Sequence, residues 1–186
     1  MIYVCSLSRL EETLALAGAE RVISLLAANT MFNRPRGIRA ENHLLLSMHD
    51  IVDVQPDMTP PGTEHVEQLL DFARSWDRGR PLVVHCYAGI SRSTAAAYII
   101  SAMLAPDRDE NELAQALRRA SPSATPNQRL VAIADDLLRR DGRMTAAIAA
   151  IGRGADAFEG TPFAFAIDLE PDVAGAPRMI AARTGG

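Results

Sequence analysis

The chain has 186 residues, 48% of them hydrophobic, which suffices to bury a core in one domain and sets disorder aside. A formal net charge of -4 excludes the broad basic field that nucleic-acid binding uses, so any anion site must be local. Two cysteines, Cys5 and Cys86, are too few for a disulfide framework and too far apart for a closely spaced zinc pair, which leaves free thiols as the simplest reading.

The amino-terminal MIYVCSLSRLEE carries no basic leader and reaches Arg9 and Glu11 before any signal-length apolar run develops. No stretch approaches a membrane span, so the expectation is a cytoplasmic protein without a membrane partner. IYVCSL and RVISLLA read as short strands, and between them Leu10, Leu14 and Leu16 to Ala17 recur at roughly helical spacing. NTMFNRPRGIRAEN, with Pro35 and Gly37, reads as a loop, and its Arg34, Arg36 and Arg39 form a local basic cluster. HLLLSMHD then reads as a third strand ending at His49 and Asp50.

After VDVQPDMTPPG, Thr63 is the expected N-cap of a helix whose apolar face is Val66, Leu69, Leu70, Ala73 and Trp76. PLVVHC reads as a fully buried strand and SRSTAAAYIISAML as a helix buried on most sides, ending at Ala105 before Pro106. Three more helices follow: DENELAQALRRA, with capping-box spacing from Asp109 to Glu112, then NQRLVAIADDLLRR and RMTAAIAAIG. Strands alternating with helices predict a three-layer α/β fold with a central, mostly parallel sheet of four to five strands flanked by helices. From Gly152 onward glycine and proline become dense and only TPFAFAIDL keeps alternating apolar character. The domain reading is therefore 1–151 as the working domain and 152–186 as a tail holding at most one edge strand.

Between the buried strand and the buried helix lies HCYAGISRS, residues 85 to 93. A strand that enters a helix through a short loop aims backbone N–H groups and the helix's positive end at one spot, which favours an anion. Cys86 and Arg92 stand at the two ends of that loop with five residues between them. A cysteine beside a helix N-terminus and a cation is a candidate nucleophile, since those neighbours favour the thiolate. Arg92 offers a planar fork of donors for two phosphoryl oxygens, and Gly89 permits a tight turn.

This His-Cys, five residues, Arg, Ser pattern resembles the signature of the cysteine-dependent protein tyrosine phosphatase superfamily, and by length its compact dual-specificity branch, in a member of bacterial type. The resemblance spans about residues 1 to 150. It implies a phosphocysteine formed on Cys86 and oxyanion binding by Arg92 and the loop of Tyr87, Ala88, Gly89, Ile90 and Ser91. It further implies a Ser93 hydroxyl that helps the sulfur leave, and a His85 that positions Cys86 rather than binding metal. Asn127, after a proline in ASPSATPNQ, is implied as a brace for the phosphate loop. No cofactor is implied, and the partner is a phosphorylated protein or a small phosphomonoester. Related lipid phosphatases tend to carry lysines in the loop, and this loop has none.

Phosphoryl transfer to sulfur needs a group that protonates the leaving oxygen and later takes a proton from water. Asp50, Asp53 and Asp57 all lie between the third strand and the helix near Thr63. Asp50 ranks first because it sits at the strand's end, where the family places its acid; Asp53 is the alternative acid, and Asp57 ranks last. Two other readings compete with the phosphatase. One is a phosphate-binding module without turnover, and the other, raised by the His49–Asp50 pair, is a metal-dependent phosphohydrolase. Cys5, without such neighbours, reads as core.

Overall fold

In the computed structural model, residues 1–167 are described; residues 168–186, the remainder of the expected tail, lie outside the described residues. Five strands form one sheet in the order β3-β2-β4-β1-β5. They are β1 (Ile2–Ser6), β2 (Arg21–Leu26), β3 (His43–Ser47), β4 (Leu82–Cys86) and β5 (Phe163–Phe165). β1, β2, β3 and β4 run parallel, and only β5 is antiparallel, pairing Phe163 with Val4 and Phe165 with Ile2 at the sheet's edge. The expected mostly parallel α/β sheet is thus present, and the edge strand falls in the TPFAFAIDL segment.

β4 is central and every residue of it is buried. That explains its continuous apolar run, since a parallel strand covered on both faces has no solvent side to alternate with. The two faces differ in cover. Helices α2 (Thr63–Arg74), α3 (Arg92–Leu104), α4 (Glu110–Ala120), α5 (Gln128–Leu137) and α6 (Arg143–Ile151) contribute to one large core with Val4, Ile23, Leu82, Val84 and Cys86. The opposite face holds a smaller core in which Cys5, Val22 and Val83 meet Leu10 and Leu14 of α1 (Leu10–Ala17), with Phe32 packed against it. Alternate residues of each strand go to opposite faces, as the pleat requires.

The helix ends show where local chemistry decides. α1 stops at Gly18, whose φ of 59° is left-handed and whose N–H reaches the Leu14 carbonyl. Asp109 caps α4 by accepting the Asn111 and Glu112 N–H groups at 2.9 and 3.1 Å. At α2 the expected N-cap shifts by one residue: Gly62 is the cap and Thr63 is the first helical residue. His65, at the third helical position, accepts the Gly62 N–H on Nδ1 at 3.0 Å, the reciprocal half of a capping box. β3 also ends before His49, at Ser47, although the Met48 N–H still bonds the Leu26 carbonyl. His49 instead closes a loop with Thr59 through two bonds, one from each backbone N–H.

Residues 152–162 run back across the molecule before joining β5. Ala155 N–H bonds the Pro122 carbonyl, Glu159 accepts from the Ser8 hydroxyl, and Gly160 N–H bonds the Ala88 carbonyl at 2.8 Å. Phe163, Phe165 and Ile167 join the same large core as Ile148 of α6.

Candidate active site

The carboxyl ends of β1, β3 and β4 converge at the loop from Cys86 to Arg92, which leads directly into α3. Cys86 closes β4 and is 1% exposed, with its sulfur at the floor of the loop. The Gly89 N–H donates to Sγ at 3.2 Å and the Ser93 hydroxyl lies 3.1 Å away. The Cys86 sulfur thus has two polar neighbours of its own loop and helix. Cys5, buried on the neighbouring strand, shows the contrast: desolvation pushes its thiol up to about 12.

The loop's carbonyls are tied outward by three separate segments. Tyr87 accepts from Leu7 N–H at 3.1 Å, Ala88 from Gly160, Ile90 from Thr125 at 2.9 Å, and Ser91 from Asn127 at 3.4 Å. The Thr94 hydroxyl also donates to the Ile90 and Ser91 carbonyls. A trans peptide points its C=O and its N–H in opposite directions, so holding these carbonyls outward turns the N–H groups of Ala88, Gly89, Ser91 and Arg92 inward, above the sulfur. The result is a nest of donors for a tetrahedral oxyanion. Gly89 is required at its place twice over: its φ is 73°, and a Cβ there would lie 2.8 Å from the Cys5 and Ser6 backbone.

Arg92 is the first residue of α3 and is almost fully buried. One terminal nitrogen donates to the Met48 carbonyl at 2.9 Å, which fixes the guanidinium against the end of β3. Its Nε is buried with no hydrogen-bond partner among the described residues and lies 3.8 Å from Asp50 Oδ2. A buried guanidinium donor left unpaired beside an anion cradle is a cost that an oxyanion would remove.

Of the three candidate acids, only Asp50 reaches the loop. Its Oδ1 accepts from the Ser91 hydroxyl at 2.7 Å and from Asn127 Nδ2 at 2.8 Å. Oδ2 is left facing Arg92. Asn127 is buried, and besides its N–H bond to Ser91 its side chain acts at three points: it caps α5 through the Leu130 N–H, holds Asp50, and bonds the Ile51 carbonyl at 3.3 Å. Asp53 and Asp57 lie on the exposed excursion that His49 and Thr59 close, and Asp57 stands at a φ of 59°. Arg129 of α5 pins that excursion from below through the Val52 and Pro61 carbonyls.

His85 lies under the loop, fully buried, with Nε2 2.7 Å from the Ser24 hydroxyl, which is in turn 2.9 Å from His43 Nε2. Phe32 tilts over both rings, at centroid distances of 5.4 and 5.7 Å. Burial lowers the His85 pKa to about 4, so the imidazole is neutral at neutral pH. Tyr87, at 62% exposure, is the loop's outward side chain, and Arg34, Arg36 and Arg39 are all exposed, Arg39 pairing with Glu41. Among the described residues no three His, Cys, Asp or Glu side chains gather to hold a metal, and His49 of the His49–Asp50 pair is turned to its own loop.

Sequence reading missed Ser91 as a donor to Asp50, Met48 as the anchor of Arg92, and Arg129 and Gly160 as loop supports. None had a local signal, since each acts on a residue more than 40 positions away.

No family model and no curated protein matches the sequence. Solved structures do match, and they are phosphatases. DUSP15 superposes with a TM-score of 0.57 at 17% identity, over 80% of this chain and 90% of that one. Human DUSP28 gives 0.56 at 20% identity over 75% and 92%, and PTPMT1 gives 0.56 at 17% over 82% and 96%. The chain has the fold of the dual-specificity and protein tyrosine phosphatases.

Proposed function

We propose that the chain hydrolyses phosphomonoesters as a cysteine-dependent protein tyrosine or dual-specificity phosphatase. The observation that carries this reading is the sulfur of Cys86 under the Gly89 N–H, in a loop whose other end is the buried Arg92, with an Nε that has no hydrogen-bond partner among the described residues. A substrate phosphoryl group seated on the amides places phosphorus in line with Sγ. The thiolate attacks, the S–P bond forms as the P–O bond breaks, and the leaving oxygen takes a proton from Asp50. Arg92 and the amides follow the charge on the equatorial oxygens. Water then attacks phosphorus and gives its proton to the Asp50 carboxylate, the S–P bond breaks, and the Ser93 hydroxyl stabilises the departing thiolate. Inorganic phosphate is the second product, and the cycle needs no cofactor.

Asp50 fits the acid role because Ser91 and Asn127 occupy Oδ1 and leave Oδ2 on the side of the loop, 3.8 Å from Arg92 Nε. His85 positions Cys86 from the preceding strand residue. The substrate class we favour is a phosphotyrosine-bearing protein or a small phosphomonoester, because the loop from Tyr87 to Ser91 has no lysine to meet further phosphates. PTPMT1 has been crystallised with PI(5)P, so that lipid belongs in the assay panel.

The test is phosphate release from phosphotyrosine, phosphoserine and phosphothreonine peptides and from PI(5)P. Cys86→Ser should abolish turnover while peptide binding persists. Asp50→Ala should lower kcat for poor leaving groups by about a hundredfold or more, as loss of a general acid does. Peptide binding without any phosphate release would leave the binding-module reading standing, and a dead Asp53→Ala beside an active Asp50→Ala would reassign the acid.

A further inference from the structure

The segment from Gly154 to Gly160, which composition alone marks as the start of a tail, supplies the hydrogen bond that holds the outer side of the peptide unit facing the sulfur. Gly160 N–H donates to the Ala88 carbonyl at 2.8 Å, and the N–H of that same peptide unit, belonging to Gly89, donates to Cys86 Sγ at 3.2 Å. One peptide plane is therefore held at both ends: by Gly160 on its outer side, and by the nucleophile on its inner side.

The approach on the outer side is as close as backbone allows. A Cβ on Gly160 would lie 2.7 Å from the Gly89 oxygen, and a Cβ on Gly89 would lie 2.8 Å from the Cys5 and Ser6 backbone. The crest of the loop is thus pressed between the end of β1 and residue 160, with glycine on both contacts because no other residue has room. The segment is anchored on both sides of this contact. Upstream, a Cβ on Gly154 would meet the Ser123 backbone at 2.5 Å, and Gly154 N–H bonds the Thr125 hydroxyl, whose own backbone holds Ile90. Immediately before Gly160, the Glu159 carboxylate accepts from the Ser8 hydroxyl, which lies 3.0 Å from the Ser6 hydroxyl beside Cys86 in the sheet register.

We propose that Gly154, Glu159 and Gly160 strap the anion cradle in place, with Gly160 as a positioning residue for Gly89 N–H and Glu159 as its latch. The proposal rests on the phosphatase reading of the same site and adds that the working domain extends past residue 151. When phosphorus is attacked, Gly89 N–H must serve both the sulfur and an oxyanion, and its direction is fixed only if the Ala88 carbonyl is. Releasing Gly160 frees that peptide to rotate, which weakens oxyanion binding and lowers kcat more than it alters contacts with the rest of a substrate.

The experiment uses the full chain in four forms: parent, Gly160→Ala, Glu159→Ala and, as a control on the same segment, Asp156→Ala. Each is read for kcat and KM on an aryl phosphate, for inhibition by inorganic phosphate, and for melting temperature. Gly160→Ala is expected to lower kcat and to weaken phosphate inhibition, each by about tenfold, a fraction of what loss of a whole oxyanion donor costs. Glu159→Ala, which introduces no clash, should weaken phosphate inhibition about threefold at an unchanged melting temperature, and Asp156→Ala should match the parent. If Gly160→Ala does not fold, the Glu159→Ala result alone decides. Parent-like phosphate inhibition in Glu159→Ala, or in a folded Gly160→Ala, overturns the strap. Should the parent release no phosphate from any ester, the phosphatase reading fails, and direct titration with inorganic phosphate by calorimetry takes the place of inhibition. A parent that does not bind phosphate either would overturn the strap together with the cradle.

Discussion

Cys86 and Cys5 lie on adjacent strands, one register step apart, and both are buried, yet their surroundings give them opposite chemistry. Cys86 receives the Gly89 amide and sits beside the Ser93 hydroxyl under an open cradle, whereas Cys5 is packed against Leu10, Leu14 and Val83 and its thiol is pushed up to about 12. At neutral pH, iodoacetate should therefore carboxymethylate Cys86 and spare Cys5, because burial keeps the Cys5 thiol protonated and the reagent is itself an anion that the cradle attracts. Inorganic phosphate should slow the labelling by occupying the same amides. Peptide mass spectrometry reads both, and preferential labelling of Cys5 would contradict the assignment of the nucleophile. The sulfur and its arginine were legible in HCYAGISRS because the groups that define them are neighbours in sequence. Gly160 was not, since a glycine announces nothing until the carbonyl it approaches is known.

At the scale of elements, what could be read was whatever repeats along one helix or strand. The apolar face of α2 and the unbroken run of β4 were visible in spacing alone, and so was the Asp109 cap. The start of α2 was displaced by one residue, and the reciprocal bond comes from a histidine at the third helical position, a rare choice for that place. The difference can be measured. Asp109→Ala should cost about 1 kcal/mol, the usual value of an N-cap, and lower the melting temperature by about 2 to 4 °C for a chain of this size. Thr63→Ala, at an exposed first helical position with no capping role, should change stability by less than about 0.5 kcal/mol. Thermal melts of the two variants decide the point, and equal losses would restore Thr63 as the cap. β5 was expected only as an edge strand in a tail, because three residues of alternation are too short a signal; its place is fixed by pairing with β1.

The whole molecule is built unequally about its sheet, and that asymmetry gives it a pH dependence. Five helices contribute to the core on one face, while the other has α1 and the loop carrying Phe32, and on that thinner side lies His85. Enclosure there is still complete: His85 is fully buried, with the Ser24 hydroxyl on Nε2 and Phe32 beside the ring, and burial lowers its pKa to about 4 from an ordinary 6.5. The unfolded chain takes up this proton as pH falls through 6.5, whereas the folded chain does not until about 4. Between those values the unfolded state binds more protons, so native stability falls as the solution is acidified and is unaffected by this group above the upper value. The full difference corresponds to about 3 kcal/mol, a large share of the margin of a typical domain. Burial lowers His43 in the same direction, so the two must be separated by mutation. Urea unfolding of the parent at pH 7 and pH 4.5 should show a loss that His85→Gln reduces by about 2 to 3 kcal/mol, because glutamine keeps a polar group near Ser24 but has no proton to gain. Equal losses in the two proteins would mean that His85 titrates in the folded chain as it does in the unfolded one, and that burial does not hold the ring neutral at pH 4.5.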